Sequence, residues 1–428
     1  MASSGSVGGE QVPQDKPGAE SQAAGISATE RRTEKVPGSD GLFFVFAVYA
    51  LSRLFYLAAG PLFAGYLPAG GFHWLTPDVP LGRLNIWAHW DGAWYSQIAA
   101  QGYETHASTA FFPLYPLLMR SFAELLGGPL SLGALSLWGV LISLAAFPLA
   151  LYFIYQIALS HYSEHTARRT ILTLCFFPTA FFFNAVYTES LFLLLSAASL
   201  WAVRVRKDLL MGCALAAFAT ATRNVGVFLV VPLAYEWIKN VRGYRWQGAY
   251  LALAPAGLAA YAAYLWVRFG NPFLFYSAQS YWSRKPTHLS TLATDIPVEA
   301  YESLRAILGP RQPATTVLED LMGRLNVATD AYNLLFLLFA LALLLLGLRV
   351  LPFSLSAYAF LLIVPAVFFG KPETPLMAFP RYVLVAFPLF MTLAVVLKNR
   401  RLLSGWLILS GAASLILCAE FVSWRFVA

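Results

Sequence analysis

Charge is scarce in this chain of 428 residues: 29 Lys and Arg and 22 Asp and Glu make up 12% of it, against 58% hydrophobic residues. That is about half the charge of an ordinary soluble domain, and a globule of this size cannot be covered by so few polar side chains. A soluble enzyme is excluded. Cysteine is nearly absent. Cys175, Cys213 and Cys418 each stand inside an apolar run, with no metal or redox spacing between them, which excludes a disulfide scaffold and marks them as packing residues. Dense basic stretches are missing too. Although the formal net charge is +7, Lys and Arg occur singly or in clusters of two or three between apolar segments. That pattern excludes a nucleic-acid partner and fits topology signals.

What the chain does have is apolar length. A mean hydropathy of +0.62 and repeated apolar runs of about 20 residues define an all-α fold class, a polytopic transmembrane helical protein in contact with membrane lipid. Eleven spans are read, at 41–60, 131–159, 170–187, 188–204, 209–222, 224–238, 247–268, 331–349, 353–370, 379–397 and 402–422, with the 209–238 pair open to being one broken helix. Residues 1–40, rich in Ser, Gly, Gln, Glu and Pro, read as a disordered cytoplasmic tail with no signal-peptide core, and residues 41–428 as one transmembrane domain.

Basic residues orient the spans. Alternate connections hold Arg168 and Arg169, then Arg204, Arg206 and Lys207, then Lys239, Arg242 and Arg245, then Arg349, then Lys398, Arg400 and Arg401. Those loops are expected in the cytoplasm, which leaves the long segments 61–130 and 269–330 outside it. Long loops carrying aromatic and ionisable residues are usually functional, so the chemistry is expected in 61–130.

Within that segment, residues 89–103 read as a short interfacial helix whose Trp90, Trp94 and Ile98 form one apolar stripe, ended by Gly102. Aromatic residues favour the headgroup depth, so this helix is expected to lie on the membrane surface. Asp91 starts it. A carboxylate at that boundary can take a proton from a hydroxyl while a lipid substrate stays in the bilayer; the alternative is an N-cap, which Asp also favours. The apolar stretch 110–120, broken by Pro113 and Pro116, reads as an interfacial or re-entrant hairpin.

Here the residues resemble a known family. Trp90-Asp91-Gly92-Ala93-Trp94-Tyr95, Ile98-Ala99, Gly102-Tyr103 and Ala110-Phe111-Phe112-Pro113-Leu114-Tyr115-Pro116-Leu117 are similar to the opening motif of the PIG-V family, the GPI mannosyltransferase II type, and its bacterial relatives. Phe177-Pro178-Thr179-Ala180-Phe181-Phe182-Phe183-Asn184-Ala185-Val186-Tyr187-Thr188-Glu189-Ser190, Thr222-Arg223-Asn224-Val225-Gly226 and Pro380-Arg381-Tyr382 follow in the family's order. The resemblance implies an integral-membrane glycosyltransferase of the GT-C type that works on the extracytoplasmic side, and the compact chain with its short cytoplasmic loops looks more like the bacterial relatives, which points to a bacterial plasma membrane. The donor it implies is a polyprenyl-phosphate sugar, mannose foremost, and the acceptor a hydroxyl of a glycolipid, polymer or protein, with no cofactor. It makes Asp91 the catalytic residue and the motif residues His89, Trp90, Tyr95, Tyr115 and Asn224 substrate contacts.

Three further polar groups at membrane depth are binding candidates. Glu189 stands at the edge of hydrocarbon, where an acid is costly unless hydrated or paired. Arg223 and Arg381 suit a phosphate, being always charged and able to give paired hydrogen bonds; an ion pair of Arg223 with Glu189, or anchoring of Arg381 in the topology, are the alternatives. Arg53 reads as a buried pair or a snorkelling residue. His73, His89 and His106 share a loop with Asp78, Asp91 and Glu104, but their spacing matches no ligand motif, and no metal is expected. Asn271–Tyr276 with Tyr281 and Trp282 read as an interfacial aromatic belt, with stacking on a sugar ring as the alternative, and the loop beyond Lys285 as acceptor contacts or a lid. The rival class is a transporter or lipid flippase, which predicts matching broken helices in two halves.

Overall fold

The computed structural model describes residues 38–67, 69–70, 84–309, 320, 323–324, 329–371 and 374–427, with 1–2 and 4–5 at the start. The reading of residues 1–40 falls almost wholly outside the described residues, as do His73, Asp78 and Glu373. Helices dominate, and the strand content among the described residues is a two-residue pair, Lys285–Pro286 antiparallel to Phe369–Gly370.

Ser39–Tyr66, Leu132–Leu159, Val241–Phe269, Thr329–Val350 and Arg400–Val422 are long and apolar enough to cross a membrane. A sixth candidate is bent by 76° between Phe379–Val385 and Phe387–Val396. Pro388, early in the second half, has no N–H to give, so the hydrogen-bond ladder breaks there. By length, then, five or six of the eleven segments cross, and others such as Leu209–Thr220 and Phe353–Val367 are shorter helices.

The segment read as one span at 170–187 is two elements, the helix Glu164–Cys175 and a 3-10 turn Ala180–Asn184. Pro178 interrupts the first, and Arg53 stabilises the second. The buried Arg53 guanidinium donates to the Ala180 carbonyl (2.9 Å) and to Asn184 Oδ1 (2.6 Å) and lies over the Phe147 ring at 4.7 Å. Carbonyl dipoles and an aromatic face thus hold this cation inside the bundle.

Leu132–Leu159 is the central helix, packed by Asp91–Gln101, Leu114–Leu125, Glu164–Cys175 and Glu189–Arg204. Its 28 residues separate two ends of the bundle by about 42 Å at about 1.5 Å per residue. Near its first end Ser136 meets Ser96 (2.8 Å), and Ser143 donates to the Ala185 carbonyl (2.8 Å). At its far end the basic loops gather: Arg169 donates to the Lys398 carbonyl (3.0 Å), Tyr162 to the Val350 carbonyl (2.5 Å), and Arg204 pairs with Glu236. The loops expected on one side of the membrane therefore share one end of the molecule.

Candidate active site

The site forms at the end away from the basic loops, where the turn 184–188 docks on the start of the Asp91–Gln101 helix. Val186 N–H donates to the Trp87 carbonyl (2.8 Å), Asp91 N–H to the Tyr187 hydroxyl (3.3 Å), and that hydroxyl to the His89 carbonyl (3.3 Å). Gly92 permits the approach, since a Cβ there would stand 3.3 Å from the Val186 side chain and carbonyl. Asp91 is the first helical residue, one place past the cap. Its carboxylate is engaged elsewhere than in capping, for Oδ2 accepts from Arg381 Nη1 at 2.6 Å.

From there a chain of charges runs inward. Arg381 Nε donates to Glu189 Oε1 (2.6 Å), and Arg223 Nη1 donates to the same oxygen (3.1 Å). Glu189 is fully buried, Arg223 and Arg381 nearly so, and Asp91 keeps 32% of its side chain exposed. A buried carboxylate between two guanidiniums is compensated by both, and removal of any member leaves a charge unmatched in low dielectric. Arg381 also lies over the Tyr187 ring, 4.5 Å from its centre.

Above this chain opens a cavity of about 150 Å³. Its polar wall includes Asp91, Arg223, Asn224, Arg284 and Arg381, and its aromatic wall Tyr95, Phe111, Trp282, Tyr382 and Phe426. Burial pushes the Tyr95 hydroxyl above its ordinary pKa, and the Asp91 charge pushes the same way, so Tyr95 presents a protonated hydroxyl. Strained backbone collects here: Trp90, Ser283, Ala378 and Trp424 all have positive φ, within three residues of Asp91, Arg284, Arg381 and Phe426. Non-glycine residues hold such conformations only where surrounding packing over-determines them, a condition typical of functional sites.

The structure thus brings Asp91, Tyr95, Arg223, Asn224 and Arg381 to one cavity, with Glu189 behind the two arginines. His89, Trp90 and Tyr115, read as substrate contacts, are not among the lining residues. His89 is buried, with Nδ1 3.2 Å from the Phe421 carbonyl and its ring stacked on Trp424 at 3.8 Å. Trp90 stands edge-on to Phe426, and Tyr115 donates to the Gly139 carbonyl (2.7 Å) beneath Tyr95.

The tryptophan stripe needs correction as well: Ile98 is buried, and Trp94 stacks on Phe111 and meets Trp282 edge-on. These rings seal the helix against protein rather than lipid, because the loop 270–286 returns over it. That return also brings Trp282 to the cavity lining, where its alternative reading as a sugar contact would put it. Arg284, Gln279 and Phe426 line the cavity without having been singled out, as does Tyr382, which was named only within its motif. A basic pair, Arg284 and Lys285, close to Trp282 and outside the cytoplasmic loops was a usable signal for the first, whereas nothing local marks Phe426. Among the described residues no group of three or more His, Cys, Asp or Glu is placed to hold a metal ion.

Fold and site define a polytopic helical integral membrane protein with a charged, aromatic-walled cavity at one end of its bundle. Residues 81–249 match the family model described as mannosyltransferase (PIG-V), which bears out the resemblance carried by the motifs; this stretch holds Asp91, Glu189 and Arg223. GPI mannosyltransferase 2 of Drosophila pseudoobscura pseudoobscura is 33% identical over 145 residues, 32% of this chain and 32% of that one. GPI alpha-1,6-mannosyltransferase 2 of Homo sapiens is 33% identical over 156 residues, 35% of this chain and 31% of that one. The chain therefore matches about a third of the length of these relatives. Among solved structures, ArnT from Cupriavidus metallidurans bound to undecaprenyl phosphate aligns with TM-score 0.42 and 14% identity, over 85% of this chain and 62% of that one. The Archaeoglobus fulgidus oligosaccharyltransferase complex with Zn and sulfate gives 0.43 and 12%, over 87% and 53%.

Proposed function

We propose that the protein is a membrane-embedded glycosyltransferase of the GT-C type that moves mannose from a polyprenyl-phosphate donor to a hydroxyl acceptor, with inversion. The observation that carries this reading is the Asp91 carboxylate, fixed by Arg381 yet reachable from the cavity, within the segment that matches the mannosyltransferase family. In the reaction the acceptor oxygen attacks the sugar's anomeric carbon, its proton passes to Asp91, and the electron pair of the breaking carbon–oxygen bond stays on the donor's phosphate. Asp91 is the base. Arg381 fixes the carboxylate's orientation from below, and Glu189 fixes Arg381, which limits the motion that the acceptor must await.

The donor class follows from chemistry and place. The sequence has no Gly-rich phosphate-cradling unit of the nucleotide-binding kind, and the cavity lies at the end away from the basic loops, which by the charge rule is the extracytoplasmic side of a plasma membrane. An activated lipid supplies the energy there. Glycolipid, wall polymer and protein hydroxyls all fit as acceptor chemistry. A transporter would need a second broken helix matching the bend at Ala386, and a single bent pair is found among the described residues.

The test is transfer of labelled mannose from polyprenyl-phosphate mannose into lipid and protein fractions, comparing wild type with Asp91→Asn in membranes at equal abundance. A loss of about 10²- to 10⁴-fold is expected, the range for removal of a general base. Undiminished transfer by the variant would leave Asp91 a structural partner of Arg381.

A further inference from the structure

We infer that Arg284, rather than Arg223 or Arg381, holds the phosphate of the lipid donor, an inference that rests on the glycosyl-transfer reading of the cavity. Three guanidiniums reach the cavity wall. Arg381 is committed to Asp91 and Glu189, each at 2.6 Å, and Arg223 to Glu189 at 3.1 Å. Two carboxylates thus balance two of the three cations. The contacts of Arg284 are neutral: Nη1 lies 3.5 Å from the Tyr382 hydroxyl, and Nη2 donates to the Met377 carbonyl at 3.2 Å. Among the described residues no carboxylate lies within ion-pair distance of it.

The surplus positive charge of the site therefore stands at Arg284. A guanidinium has five N–H groups in a planar fork, and two of those on Arg284 are engaged, so the fork retains donors for a second, anionic partner. That geometry matches two oxygens of a phosphate monoester or diester.

Its position is also built rather than incidental. Ser283 turns the chain with φ 56°, and Lys285 pairs with Gly370 in the short antiparallel ladder, so Arg284 is clamped between a turn and a strand. The neighbouring Trp282 meets Trp94 edge-on at 5.4 Å, which ties the loop to the helix that begins with Asp91. Base and phosphate holder thereby line one cavity. As the bond between the sugar and the phosphate breaks, its electron pair moves onto a phosphate oxygen, and the Arg284 fork meets the charge that develops there.

The experiment uses the full chain in lipid nanodiscs and measures binding of a polyprenyl monophosphate, of the uncharged polyprenol of the same length and of inorganic phosphate. Wild type, Arg284→Gln and Arg284→Lys are compared, with kcat and donor KM from the mannose-transfer assay. Arg284→Gln is expected to weaken polyprenyl-monophosphate binding about 10- to 100-fold, the scale of a charge-assisted hydrogen-bond pair. It should raise donor KM, leave polyprenol binding and the melting temperature unchanged, and be partly rescued by Arg284→Lys. Equal binding of polyprenyl monophosphate by wild type and Arg284→Gln would overturn the inference, as would failure of wild type to bind it. If inorganic phosphate bound as tightly as the lipid and with the same dependence on Arg284, the site would be one for free phosphate, and the lipid assignment would fall. Arg284-dependent lipid binding without any transfer would sink the glycosyl-transfer reading while leaving the phosphate site standing.

Discussion

Two buried charge clusters occupy opposite ends of this bundle, and they are made of the same materials. At the far end Arg204 pairs with Glu236, both nearly inaccessible. Ser354 donates to the same carboxylate (2.6 Å), and His161 contacts the guanidinium. Arg204, Glu236 and Ser354 are turned inward, and His161 covers them from the exposed side. At the cavity end Glu189 holds two arginines in the same way, but the chain of charges continues to Asp91, which is one-third exposed, and a third arginine stands by with neutral partners. The comparison teaches that pairing arginine with carboxylate inside a membrane protein is not in itself a sign of chemistry. What separates a strut from a site is leftover capacity: a reachable base, an unbalanced cation and space between them.

That contrast can be broken by mutation. The largest effect is expected from Glu189→Gln, which strips the shared partner from Arg381 and Arg223 at once. A loss near the upper part of about 3–5 kcal/mol is expected, read as a lower melting temperature in detergent together with loss of transfer, because Arg381 no longer holds Asp91 in place. Glu236→Gln should cost stability toward the lower part of that range, since Ser354 and His161 remain around Arg204. Transfer per folded molecule should stay at the wild-type value, and a fall in kcat there would show that the two ends are coupled. The smallest change is expected from Glu164→Ala. It removes a half-exposed i,i+4 pair with Arg168, for which about 0.3–0.5 kcal/mol is the expected scale, and a melting curve overlaying the wild type would be the outcome.

Much of this was legible in the sequence. Composition alone fixed the all-helical membrane class, and the basic loops correctly named one end of the bundle. Asp91, Arg223 and Arg381 were legible as candidates because a charge inside an apolar run is conspicuous and because the motifs around them resemble a family, and the structure brings all three to one cavity. The sequence could not say which arginine is already spoken for. Whether Arg223 and Arg381 pair with Glu189 depends on contacts across 34 and 192 residues, and no local pattern reports that. His89, Trp90 and Tyr115 lie off the cavity lining for a related reason: a polar aromatic residue in a motif is recognised by identity, while its place depends on what packs behind it. For His89 and Trp90 that is residues 421–427, far along the chain and outside the matched segment, and for Tyr115 it is Gly139 and Ser143 of the central helix. Phe426 was missed for the same reason, since a single aromatic residue near the last span has no local feature to distinguish it.

The order in which the cavity's walls appear along the chain has a consequence for how the molecule is made. Asp91 and Glu189 are synthesised well before Arg381, which is 290 residues beyond Asp91, and before Phe426. During insertion, Glu189 therefore first meets Arg223, and the two can settle as a provisional couple until the bent helix brings the second arginine. Only then is Asp91 fixed, and only when residues 421–427 arrive does the wall close. A chain caught partway through insertion would carry the base without the cation that orients it.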